Sequence, residues 1–237
     1  MRAFGGSAER VRRAGVVACV LAASGAGAAA AQSAAAGEME LPPLLPRERE
    51  VALARSAAPG AVTADATVLV LERGVGYVEA VAGTNGVTCI VDRTWARSVE
   101  PQCFDREASE TILPLRLRFA ALREARRSRA EVDADREAGI RDGRYRLPRR
   151  PALTWMMSAG QVLYDDEGSH VGAWRPHIMI YFPAMTATEL GLAGEPYEHG
   201  PWLSDDGEPT ATLVVPMPEF VPVEGGPSAG AGGGSGR

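Results

Sequence analysis

The spacing of apolar and polar positions changes along this chain, and each change predicts an element. Residues 47–58 have helix-forming composition and stop at Pro59-Gly60. Residues 66–72, 77–82 and 87–92 are short runs rich in Val, Leu and Ile. Arg73-Gly74-Val75-Gly76 separates the first two, and Gly83-Thr84-Asn85-Gly86 the second pair. Asn-Gly supplies the left-handed residues of a tight hairpin, so the three runs predict an antiparallel meander. From 107 to 127 the period lengthens. Leu115, Phe119 and Leu122 fall at i, i+4 and i+7, one stripe of a helix, with Pro114 placed in its first turn. Ser128 followed by Glu131 is a capping-box signature that opens a second helix, ended by Gly143. Residues 153–157, 161–164, 177–182 and 210–215 read as further strands. The fold class expected is α+β: an antiparallel sheet, made of the meander and the later strands, with helices packed on one face.

The two ends have a different composition. Arg2, Arg10, Arg12 and Arg13 precede an Ala-rich apolar run over 14–28, and Ala29-Ala30-Ala31 offers a small-x-small cleavage site. This is a secretory signal, expected to be cut near Ala31 and too short in its apolar part to span a membrane. Val16-Val17-Ala18-Cys19 loosely matches a lipobox, but almost no hydrophobic stretch would precede Cys19. Residues 32–46 form an Ala/Gly/Pro-rich flexible lead, 47–222 the domain, and 223–237 a Gly/Ser-rich tail expected to be disordered.

Export changes how the cysteines and charges are read. Without residues 1–31 only Cys89 and Cys103 remain, fourteen positions apart, which in an oxidising compartment predicts a disulfide. A metal or reactive thiol pair would want closer spacing or an adjacent His. The formal charge of the chain is −5, and losing a leader with four Arg and one Glu takes it to −8. Such a domain is a poor general binder of nucleic acid. The charge is uneven. Residues 116–150 hold twelve Arg against six acids, while 151–237 hold two Arg against eleven. A basic helical pair could meet an anionic surface or partner, or simply present solvated faces.

Candidate chemistry concentrates in "GSHVGAWRPHIMIYFP", residues 168–183. Pro176 starts a strand whose alternation puts His177, Met179 and Tyr181 on one face and Ile178, Ile180 and Phe182 on the other. The Ile/Ile/Phe face is the expected core side, leaving the His177 face as a binding surface with Trp174 and Arg175 at its rim. Arg175 could hold a carboxylate or phosphate through its fork of donors. His177 and Met179 could bind a soft metal such as copper if His170, Met156, Met157 or Met185 joined them. Asp165-Asp166-Glu167-Gly168 is either a carboxylate cluster or a turn. No nucleophile-elbow pattern surrounds Ser158 or Ser204, and Gly74 with Gly76 is no phosphate loop.

The ordered segments "EVALARSAAP", "GTNGVTCIVDRTW", "ETILP", "WMMSAGQVLYDDEG" and "GAWRPHIMIYFP" resemble a family of exported bacterial proteins with no assigned activity, ligand or cofactor. Members of that family often carry His where this chain has Arg175, so a scheme needing both histidines fails here. Two functions are expected from these residues. The first is a non-catalytic periplasmic or envelope-associated domain that binds a small ligand or an envelope component, without a cofactor. The alternative is a metal-assisted hydrolase using His177 and His170 with Asp165 or Asp166.

Overall fold

The computed structural model describes residues 43–93, 98–164, 170–192 and 200–225. The signal segment, most of the lead and most of the tail lie outside the described residues. The expected helix is α1, Arg47–Arg55, and a single turn, α2 at Gly60–Thr63, follows Pro59. The three apolar runs become β1 Thr67–Glu72, β2 Gly76–Val81 and β3 Thr88–Asp92. Next come β4 Glu100–Phe104, α3 Arg106–Glu124 and α4 Arg129–Arg141. The remaining strands are β5 Ala152–Met156, β6 Leu163–Tyr164, β7 His170–Gly172, β8 His177–Tyr181, β9 Trp202–Ser204 and β10 Thr212–Pro216. One eight-stranded sheet runs β2-β1-β3-β4-β5-β8-β10-β9, and β6 with β7 makes a separate ribbon. No helix among the described residues is long and apolar enough to cross a membrane.

The class is α+β as expected, but the sheet is mixed. β1 and β2 form the predicted hairpin, whereas β3 lies on the other side of β1 and runs parallel to it. The second glycine-rich stretch is therefore a crossover past the start of β1, not a hairpin turn. The amides of Thr84 and Asn85 donate to the Asp65 carbonyl at 2.8 and 3.3 Å. The Asn85 amide donates to the Val62 carbonyl at 2.9 Å, and its oxygen accepts from the Val87 amide at 2.9 Å. Gly83 is needed because a Cβ there would sit 2.1 Å from the Thr67 nitrogen. Asn85 thus serves the loop through its side chain, and only Gly86, at φ +81°, takes the left-handed backbone.

Helices flank both faces, which corrects the one-sided packing expected. Leu53 and Ala54 of α1 pack with Cys89, Val91 and Cys103 on one side of the sheet. Ile112 and Leu113 of α3 pack with Ile90, Phe104, Met156 and Met179 on the other. Consecutive residues of β3 point to opposite faces, so a strand buried on both sides separates the two cores. Arg93 and Glu50 form a buried ion pair that fastens α1 to the end of β3. Cys89 and Cys103 are bonded, and they face each other directly across antiparallel β3 and β4. Their Cα atoms are 4.0 Å apart. The disulfide is therefore a cross-strand bond.

Helix α3 begins earlier than Pro114 would allow a first turn to begin. Asp105 caps it, its carboxylate accepting from the Ala108 amide at 2.7 Å. Pro114 lies two turns in, on the exposed side. The Glu110 carbonyl, which loses its usual donor there, accepts from the Arg146 guanidinium at 3.4 Å. The Ser128–Glu131 capping box is present in both directions, and Gly143 follows α4 at φ +78°. Past the sheet, Val221 bridges to Ser158 and Val223 packs on the α1 core.

Candidate functional site

Strand β8 is sandwiched between β5 and β10, and its register sets the rows of the site. Met156, His177 and Pro216 share one row, Thr154, Met179 and Val214 the next, and Ala152, Tyr181 and Thr212 the third. The period of two aligns His177, Met179 and Tyr181 as predicted. Their face, however, is the buried one: His177 and Tyr181 are each 5% exposed, while Ile178 and Ile180 are half-buried. The core side is thus the reverse of the expectation. Helix α3 covers the His/Met/Tyr face, whereas α1 sits over β1, β3 and β4 and does not reach the strand-8 isoleucines.

A cavity of about 370 Å³ opens between this face and the pair α3–α4. The sheet supplies Glu100 and Gln102 from β4, Met156 from β5, the three β8 residues, and Thr212 and Val214 from β10. Helix α3 supplies Ile112, Leu115, Arg116, Phe119 and Arg123, and α4 supplies Arg129, Val132, Asp133 and Arg136. Trp174 and Trp202 stand at its edge, 49% and 37% exposed. Pockets of this size, mostly apolar with a few convergent polar groups, are where small molecules bind.

The polar groups are unusual in their burial. Asp92 is 1% exposed, accepts from the Gln102 amide at 3.2 Å and forms an ion pair with Arg116, Nε to Oδ2 3.8 Å. Arg116 and Tyr181 line the same cavity. Burial, reinforced by Asp92 and opposed by Arg116, pushes the Glu100 carboxyl up to about 8. It is therefore mostly protonated at neutral pH and able to donate. Gln102 is 1% exposed, and its Oε1 has no hydrogen-bond partner. A buried acceptor left bare costs about 1–3 kcal/mol, so this oxygen suits a donor supplied by a ligand or water.

His177 is also poised. Its Nδ1 lies 2.7 Å from the Arg175 carbonyl, which can only accept, so Nδ1 carries the proton. Burial lowers its pKa, partly offset by that bond to Arg175. The ring is neutral at physiological pH, with the Nε2 lone pair available, and its centroid is 6.4 Å from that of Trp202. Tyr181 points its hydroxyl at the Met179 sulfur, 4.0 Å away.

Of the predicted site residues, His177, Met179, Tyr181 and Trp174 line this cavity and Arg175 does not. Arg175 is exposed and contributes its carbonyl. Met156 joins the cavity, whereas Met157 and Met185 do not line it. His170 belongs to the β6–β7 ribbon, its ring 5.7 Å from Tyr164. Asp165 and Asp166 lie outside the described residues. Among the described residues no three His, Cys, Asp or Glu side chains gather as a metal site. Ser158 is buried and bonded to Ser56 at 2.6 Å. Glu100, Gln102, Arg116 and the α4 residues were not legible as site residues: each needs the fold to bring it to β8. Comparison of the chain with family models, curated proteins and solved structures finds no match.

Proposed function

We propose that this protein is an exported domain that binds a small molecule in the cavity between the β4–β5–β8–β10 face and the helices α3 and α4. The observation that carries this reading is the buried polar floor. Gln102, with an unfilled acceptor, His177, with an Nε2 lone pair, and Glu100, with a carboxylic acid proton, all line one mixed polar and apolar space. A space serving only packing would be filled by side chains. Export is supported by the composition of the leader, and the Cys89–Cys103 disulfide suits an oxidising compartment.

The test uses N-phenyl-1-naphthylamine, a neutral fluorophore that brightens in apolar surroundings. The full chain is expected to bind it. Val214→Trp fills the cavity from β10 and should weaken binding at least 10-fold. Val215→Trp, on the opposite face of the same strand, should leave it unchanged. Circular dichroism melts confirm that both variants fold. Equal binding by the two variants would place the fluorophore outside the cavity and defeat the reading.

A further inference from the structure

The register of the sheet brings three soft donors together on one face. Met156 of β5 lies directly opposite His177 of β8, and Met179 follows His177 two residues along the same strand. All three line the cavity, and each is at most 9% exposed. Residues opposite each other on antiparallel strands have Cβ atoms about 4.5–5.5 Å apart, and diagonal neighbours about 7–8 Å. A thioether on three rotatable bonds can close such gaps around one ion. The imidazole is held for that role. Its Nδ1 meets the Arg175 carbonyl at 2.7 Å, and among the described residues nothing hydrogen-bonds Nε2. Metal-binding histidines are commonly fixed in this way, one ring nitrogen anchored so that the other keeps its lone pair. Met179 has the Tyr181 hydroxyl 4.0 Å from its sulfur. Sulfur is a weak acceptor, so that contact leaves it able to act as a ligand. The Trp202 ring, its centroid 6.4 Å from that of the imidazole, adds an aromatic neighbour, and aromatic faces attract cations.

The donor set selects its ion. Zinc and calcium ask for imidazole, thiolate or carboxylate groups, and among the described residues no three of these gather. Two thioethers with one imidazole are soft, uncharged donors, which select copper(I). A second histidine is not required, so neither the place of His170 on the β6–β7 ribbon nor Arg at position 175 stands in the way. We propose that Met156, His177 and Met179 bind a monovalent soft metal ion, copper(I), through their two Sδ atoms and Nε2. This goes beyond the small-molecule reading, and either can fail without the other.

Competition for copper(I) with bathocuproine disulfonate, under ascorbate and without oxygen, tests it. The full chain carries Cys19→Ala, because Cys19 is the one cysteine outside the disulfide and would bind copper(I) by itself. One equivalent of copper(I) should be withheld from the chelator. Met156→Leu and Met179→Leu keep an apolar side chain of similar size and remove the sulfur. Each should weaken binding by about 10-fold or more, the loss seen even for residues that merely orient a ligand. Met185→Leu with Met217→Leu should change nothing, since neither residue lines the cavity. Melting curves confirm that the variants fold. Silver(I), a stand-in without redox chemistry, should shift the 13C-methyl signals of Met156 and Met179, and zinc(II) should leave them in place. Copper(I) binding that survives both cavity substitutions, or that is lost with Met185 and Met217, would overturn the proposal, as would zinc(II) shifting the same methyls. If the chain takes N-phenyl-1-naphthylamine but no copper(I), the metal site fails and the small-molecule reading stands. If it takes copper(I) through these methionines but no fluorophore, the reverse holds.

Discussion

Glu100→Gln should stabilise the protein, and the gain should grow with pH. Burial, together with the neighbouring Asp92, holds the folded-state pKa of Glu100 at about 8 against an ordinary value of 4.5. Below pH 4.5 the carboxyl is protonated in both folded and unfolded chains and costs nothing. Between 4.5 and 8 the unfolded chain releases a proton that the folded one keeps, so folding costs about 1.4 kcal/mol more for each pH unit. Stability is thus present at low pH and lost as pH rises through this window, levelling off above it. Gln keeps the shape of the protonated acid and has no proton to lose. Calorimetry at pH 5, 6.5 and 8 should show the variant gaining on the wild type by about 3–5 kcal/mol at pH 8. For a domain of this size that is a melting difference of about 10 °C. Parallel melting curves across that range would mean Glu100 ionises freely and the polar floor is wetter than described.

The second large effect concerns the disulfide. Cys89 and Cys103 are fully buried, and their bond joins β3 to β4 in the middle of the sheet. Replacing both by Ala releases a fourteen-residue loop in the unfolded chain, worth about 3 kcal/mol in the chain-entropy account. The loss of two sulfurs from the α1 core adds a small cavity cost. Guanidinium titration should show about 3–5 kcal/mol of destabilisation with an unchanged β1–β2 hairpin and helix content. A change below about 1 kcal/mol would mean the paired strands already confine these residues without the bond.

These two residues mark what the sequence does and does not disclose. The cysteine pair was legible from its number and spacing once the leader was set aside. The Ser128–Glu131 cap was legible because its chemistry is local. Strand β4 was not, because "EPQCF" carries Glu, Pro and Gln where a buried strand is expected to carry Val and Ile. Pro101 is tolerated because β5 pairs with β4 only at Cys103 and Phe104, beyond it. Glu100 and Gln102 are tolerated because they line a cavity and Gln102 donates to the buried Asp92 carboxylate. The alternation of β8 was read correctly and its core side was not. Hydropathy favours the isoleucines, but the positions of α1 and α3 decide which face is covered, and helix placement is a property of the whole sheet. The crossover at Gly83 failed for a related reason. An Asn-Gly pair signals a turn without saying which strand the chain joins next.

Methionine methyl resonances give the most direct reading of the cavity, because its two methionines sit on neighbouring strands with others outside as controls. With 13C-methyl methionine in the full chain, N-phenyl-1-naphthylamine should shift the signals of Met156 and Met179 through its ring currents. Met157, Met185 and Met217 should stay in place. Saturable shifts confined to Met156 and Met179 are the predicted result. Shifts at Met185 or Met217 with Met156 and Met179 unmoved would put the binding site elsewhere and contradict the account.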